Sequence, residues 1–270
     1  MHAYRCSALV VVAAALTIAT GPAFAQDEKR EIEKYQKMIA EGSPVELFEL
    51  EGEGLWKKKQ GPKNASLEQC DLGLGAGVVK GAFVNLPRYF KDTDRVEDLE
   101  SRLLTCMMTL QGRSREEATK RTFGNADKPS EMEYLVAFVA GESRGSPIAI
   151  STAHPKESAA YELGRKLFFY RSGAWDFSCA SCHGEEGKRI RMQELPVLSL
   201  PAGARPAYST WPAYRVSNSQ MKSMQWRLND CYRQMRFPEP GFASDATIAL
   251  TMFLGVTAND EPYRGPGTKR

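Results

Sequence analysis

Beyond its first residues the chain has no apolar run long enough to cross a bilayer, which excludes a membrane span. It also lacks an excess of charge of either sign. A formal net charge of +3 over 270 residues points to neither nucleic acid nor a membrane surface as partner. The run Lys57-Lys58-Lys59 therefore reads as a solvated face. No strand-rich section and no βαβ pattern is legible. Histidine is scarce, with three in all, of which His2 lies in the leader described next.

His2 and Arg5 precede an apolar run from Ala8 to Leu16, then Gly21-Pro22 and Ala23-Phe24-Ala25. This is a signal peptide over residues 1–25, with an A-x-A-like cleavage site. The mature chain is expected to begin near Gln26, to be exported, and to work in the periplasm. Cys6 leaves with the leader. Gln26 to Ile39 reads as a charged helical lead-in.

The rest of the sequence is organised around Cys179-Ala180-Ser181-Cys182-His183. C-x-x-C-H is the attachment pattern of c-type haem. Two thiols bond to the porphyrin vinyl carbons, and the adjacent imidazole reaches the iron. A thioredoxin-type pair would not need His183 and belongs near a βαβ pattern. A zinc site would need a fourth ligand, for which Cys231 is available. The single motif predicts one haem c per chain, held by Cys179 and Cys182 with His183 on the metal.

Five cysteines remain after the leader: Cys70, Cys106, Cys179, Cys182 and Cys231. An internal repeat organises those outside the haem motif. Leu86-Pro87-Arg88-Tyr89 answers Trp211-Pro212-Ala213-Tyr214, and Arg102-Leu103 to Cys106 answers Arg227-Leu228 to Cys231. The offset is 125 throughout (212 minus 87, 227 minus 102, 231 minus 106). The expected fold is all-α: two cytochrome c-like domains from an internal duplication, at 26–150 and 151–270, only the second binding haem. Ser143 to His154 is the expected connector. The repeat sets Cys106 at the position of Cys231, across the vanished haem site from Cys70. Cys70 is therefore expected to pair with Cys106, a crosslink contributing about 2–4 kcal/mol. Cys231 is left free.

Apolar spacing predicts helices over Tyr161 to Tyr170, around Leu99, Leu103, Cys106 and Leu110, and from Gln220 to Met235. In the last, Met221, Met224, Leu228, Cys231 and Met235 form one stripe, with Arg227 a turn before Cys231. Leu195 to Pro212 holds four prolines and is expected to be a loop. For the second axial ligand two readings stay open. His154, before Pro155, reads as a surface residue. Met192, Met221, Met224, Met235 and Met252 offer the usual thioether. Alternatively Cys231 binds iron as thiolate, favoured by the charge of Arg227.

At Arg227-Leu228-Asn229-Asp230-Cys231-Tyr232-Arg233-Gln234-Met235-Arg236 the chain resembles the SoxA family, the larger cytochrome subunits of sulfur-oxidising SoxAX complexes. The likeness also takes in Gly81 to Tyr89 and the helix before Cys179. The resemblance implies the single-haem kind, with Cys70 and Cys106 in place of a first haem. It implies L-cysteine S-thiosulfotransferase activity: with a SoxX-like small cytochrome, thiosulfate is joined oxidatively to a cysteine of a SoxYZ-like carrier. It makes Cys231 both iron ligand and active sulfur, Arg227 the anion and transition-state stabiliser, and His183 the other axial ligand. The competing function is a plain periplasmic electron-transfer cytochrome.

Overall fold

A computed structural model describes residues 44–119, 128–190 and 192–269. The signal peptide expected at 1–25 and the lead-in at Gln26–Ile39 lie outside the described residues.

Helix α1 (Val45–Lys57) buries Val45, Phe48, Gly52 and Trp56, a stripe at helical spacing. It crosses α4 (Glu131–Gly141) so closely that a Cβ on Gly52 would lie 2.0 Å from the Tyr134 carbonyl oxygen. The same contact recurs later. Helix α5 (Pro155–Phe169) crosses α9 (Asp245–Thr257), and a Cβ on Gly164 would lie 1.9 Å from the Ala249 carbonyl oxygen. Only glycine allows backbones this near.

Between the members of each crossed pair the chain makes a hairpin and a helix. Strands β1 (Arg88–Phe90) and β2 (Arg95–Glu97) pair antiparallel and lead into α2 (Leu99–Thr109), capped by Asp98. The connection to α4 includes the short α3 (Arg115–Thr119). After α5 come α6 (Cys179–His183), the two-residue strands β3 (Arg189–Ile190) and β4 (Gln193–Glu194), and α7 (Pro201–Tyr208). Then β5 (Ala213–Arg215) and β6 (Gln220–Lys222) lead into α8 (Met224–Gln234), capped by Ser223. The offset of 125 seen in the sequence relates β1 to β5, β2 to β6 and α2 to α8, residue for residue (213 minus 88, 220 minus 95, 224 minus 99). Strand β7 (Gly267–Lys269) adds a parallel partner to β5.

Two local expectations differ. Residues 220–222 are strand, not the first turn of a helix, because β5 takes up their backbone groups and Ser223 restarts the chain as an N-cap. The Leu195–Pro212 segment contains α7, since Pro201 stands at the helix start, where a missing N–H costs nothing. The Ser143–His154 connector is not slack. Ile148 and Ile150 are buried, and Ile148 N–H donates to the Glu261 carbonyl while Ala149 N–H donates to that of Val84.

One buried cluster gathers Trp56, Leu72, Leu103, Leu135 and the disulfide-bonded pair Cys70 and Cys106, whose Cα atoms are 5.6 Å apart. A second gathers Phe168, Leu228, Leu250, Phe253 and Tyr263. Both belong to one compact unit, Ser43–Arg270. Glu133 of α4 and Lys222 of β6 pair between the first-half helix and the second-half hairpin. Tyr89 of the first hairpin stacks on His154 at the start of α5, ring centroids 3.7 Å apart. His154 Nδ1 also accepts from Lys156 N–H, so this histidine is a helix cap.

Candidate functional site

The five residues of α6 are the whole C-x-x-C-H motif, started by Ser178, whose hydroxyl accepts from Ser181 N–H. Cys179 and Ala180 lie against the second core cluster, as do Leu198 and Met224. His183 Nδ1 lies 2.9 Å from the Pro196 carbonyl oxygen. A carbonyl can only accept, so Nδ1 carries the proton and Nε2 keeps its lone pair. Burial lowers the His183 pKa, which favours the neutral ring that metal ligation requires. Burial pushes the Cys179 thiol up to about 12. Cys179, Cys182 and Cys231 are all free, half-buried thiols. Two thiols and a neutral imidazole on one helical turn are the donor set a c-type haem takes. Among the described residues no three His, Cys, Asp or Glu side chains gather as a metal-ion cage.

Helix α8 brings in Arg227 and Cys231, one turn apart. Cys231 interacts electrostatically with Cys182 and with Arg227. Burial raises its pKa, and the Arg227 charge opposes the rise. Arg227 Nη1 donates to Asp230 Oδ2 at 2.9 Å. Of the methionines considered as ligands, Met221 and Met252 are fully buried, Met235 packs in the second cluster and Met192 is 88% exposed.

Two further cations stand here that sequence reasoning did not single out. Arg215 ends β5, in register with Lys269 of β7. Arg215 interacts electrostatically with Arg227, Asp230 and Cys231, and burial and then Arg227 lower its pKa. Lys269 is lowered to about 8 by burial, then by Arg215, Arg227 and Arg264. Neither spacing nor periodicity marks them. The pairing of β5 with a strand over fifty residues later, Gly267–Lys269, brings them together.

The L-cysteine S-thiosulfotransferase subunit SoxA of Hydrogenophilus thermoluteolus is 51% identical over 98% of each chain. The chain belongs to the SoxA family. A SoxA of Hydrogenobacter thermophilus is 32% identical over 91% of this chain and 93% of its own. The family model for the SoxA/TsdA cytochrome c domain matches residues 51–148. In fold, the chain matches the crystal structure of SoxXA from P. pantotrophus with a TM-score of 0.71 at 20% identity, covering 88% of this chain and 84% of that one. Membership of this cytochrome family means that the chain binds haem c. No helix among the described residues is long and apolar enough to cross a membrane.

Proposed function

We propose that this L-cysteine S-thiosulfotransferase subunit of the SoxA family works in the periplasm with a SoxX-like small cytochrome, joining thiosulfate to a cysteine of a SoxYZ-like carrier. The observation that carries the reading is the 51% identity to a SoxA across 98% of both chains. The free thiol of Cys231 beside Arg227 and the haem motif supports it.

Cys179 and Cys182 would hold one haem c covalently, and His183 and Cys231 would supply its iron ligands. The first half is a cytochrome c-like domain without haem, the product of an internal duplication. The constant offset of hairpin and helix supports that origin, as do the two glycine crossings. So does the fall of the cytochrome c domain match on residues 51–148, a stretch without C-x-x-C-H.

Haem c supplies a one-electron acceptor when bound, so loss of two electrons needs a second centre, which a SoxX-like cytochrome provides. Arg227 attracts the thiosulfate dianion. The Cys231 thiolate and the outer sulfur of thiosulfate form an S–S bond, and two electrons leave. The carrier thiolate then attacks that outer sulfur and displaces the Cys231 thiolate, so the carrier leaves as the S-thiosulfonate and Cys231 is restored. His183, whose Nδ1 faces the Pro196 carbonyl, would keep the Nε2 lone pair free for the iron.

The test mixes the haem-loaded chain, small cytochrome, carrier and thiosulfate, and follows carrier mass and haem absorbance together. Carrier gaining the thiosulfonate mass while haem is reduced is the expected result. Haem reduction without the adduct would return the chain to plain electron transfer.

A further inference from the structure

The repeat offers an internal control for the charges around Arg227. Its counterpart in the first half is Arg102 (227 minus 125). Arg102 sits 3.9 Å over the Phe90 ring, and its Nη1 reaches Asp92 at 2.8 Å and Glu97 at 3.2 Å. At the matching second-half positions stand Arg215 for Phe90, Ser217 for Asp92 and Lys222 for Glu97. Where Arg102 has a ring and two carboxylates, Arg227 has a second guanidinium and, among the described residues, Asp230 alone as ion-pair partner. Lys222 turns away to Glu133.

Arg215 makes no ion pair among the described residues, and its Nε–H is buried without an acceptor. Lys269 has no carboxylate partner among them either, only the Trp211 ring 5.6 Å away. A buried donor left without an acceptor is destabilising. Adjacent like charges add repulsion. An anion that accepts from Arg215 removes both costs.

We propose that Arg215, backed by Lys269, is a second anion-binding residue of the Cys231 site, holding the sulfonate end of thiosulfate so that its outer sulfur is left for Cys231. This rests on the thiosulfate reading above. A guanidinium fork matches two oxyanion oxygens, and Lys269 adds charge without geometry. Arg227, half-neutralised by Asp230, then shares the anion instead of carrying it alone.

The test titrates thiosulfate into the haem-loaded complex without carrier, read by calorimetry and by haem absorbance, at low and high salt. Arg215→Gln is expected to weaken binding about tenfold and to flatten its salt dependence. Arg215→Lys should recover part of the loss, and Lys269→Gln should show a smaller one. The resting haem spectrum should stay parental, because neither residue is an iron ligand. Parental affinity in Arg215→Gln would overturn the proposal. If the haem midpoint potential moved in that variant while affinity held, the two cations would be answering haem propionates. Should Arg215→Gln not load haem, Arg215→Lys and Lys269→Gln decide, parental affinity in both overturning the proposal. A parent that binds no thiosulfate would sink the substrate reading itself, whatever the variants do.

Discussion

Lys222 Nζ lies 2.6 Å from Glu133 Oε1, with side chains 2% and 5% exposed. The pair ties the second-half hairpin to a first-half helix. Burial raises the Glu133 pKa, and the Lys222 ammonium opposes the rise. Removing one partner strands a buried charge, so Lys222→Met should cost about 3–5 kcal/mol. Adding Glu133→Gln, which keeps a side-chain oxygen for the Ser130 N–H, should restore much of that. Denaturant midpoints of the two variants check it. Equal losses would mean that the ion pair is not what holds this contact.

The glycine crossings give a contrasting pair. Gly164→Ala forces a Cβ against the Ala249 carbonyl, and backbone cannot swing aside as a side chain does. A loss of about 1–3 kcal/mol or more is expected. Gly54→Ala, on the open face of α1 with nothing within 4 Å, should gain about 0.5–1 kcal/mol from helix propensity. Thermal unfolding of both against the parent reads the two signs.

Stability should fall as pH rises because of Glu100. Burial first, then the charge of Asp98, raises its pKa from 4.5 to about 8, against hydrogen bonds from Ser223 and from the Gln225 backbone. Asp98, buried beside it and hydrogen-bonded by Gln225 Nε2 at 2.5 Å, is raised too. The folded chain then keeps protons that the unfolded chain has released. Each such proton contributes a slope of about −1.4 kcal/mol per pH unit between the unfolded and folded values, and none above the folded one. Glu100→Gln should flatten the profile between about pH 5 and pH 8. A profile as steep as the parent's would assign the slope to other groups.

Cys231→Ala should alter the haem spectrum and abolish transfer to the carrier. Arg227→Ala should keep its haem but transfer roughly a hundredfold more slowly, a loss of about 3 kcal/mol of transition-state stabilisation. Rates are taken per folded, haem-loaded molecule. A near-parental rate for Cys231→Ala would end its assignment as the active sulfur.

What could be read without a fold is chemistry written in contiguous residues and short spacings. The C-x-x-C-H pattern is contiguous, so Cys179, Cys182 and His183 were legible as candidate haem ligands before the fold placed them on one short helix. The constant offset of 125 and the helical stripe around Cys231 and Arg227 are local patterns of the same kind. The pairing of Cys70 with Cys106 followed from the offset, and the two are bonded. Tertiary structure decided what depends on distant partners. Three-residue strands carry almost no pattern of their own, so 220–222 read as helix until β5 took up its hydrogen bonds. Arg215 and Lys269 are fifty-four positions apart (269 minus 215) and became neighbours through one parallel register. Whether a cation is answered or left over depends on which chain segments fold against it, and spacing along the sequence does not encode that.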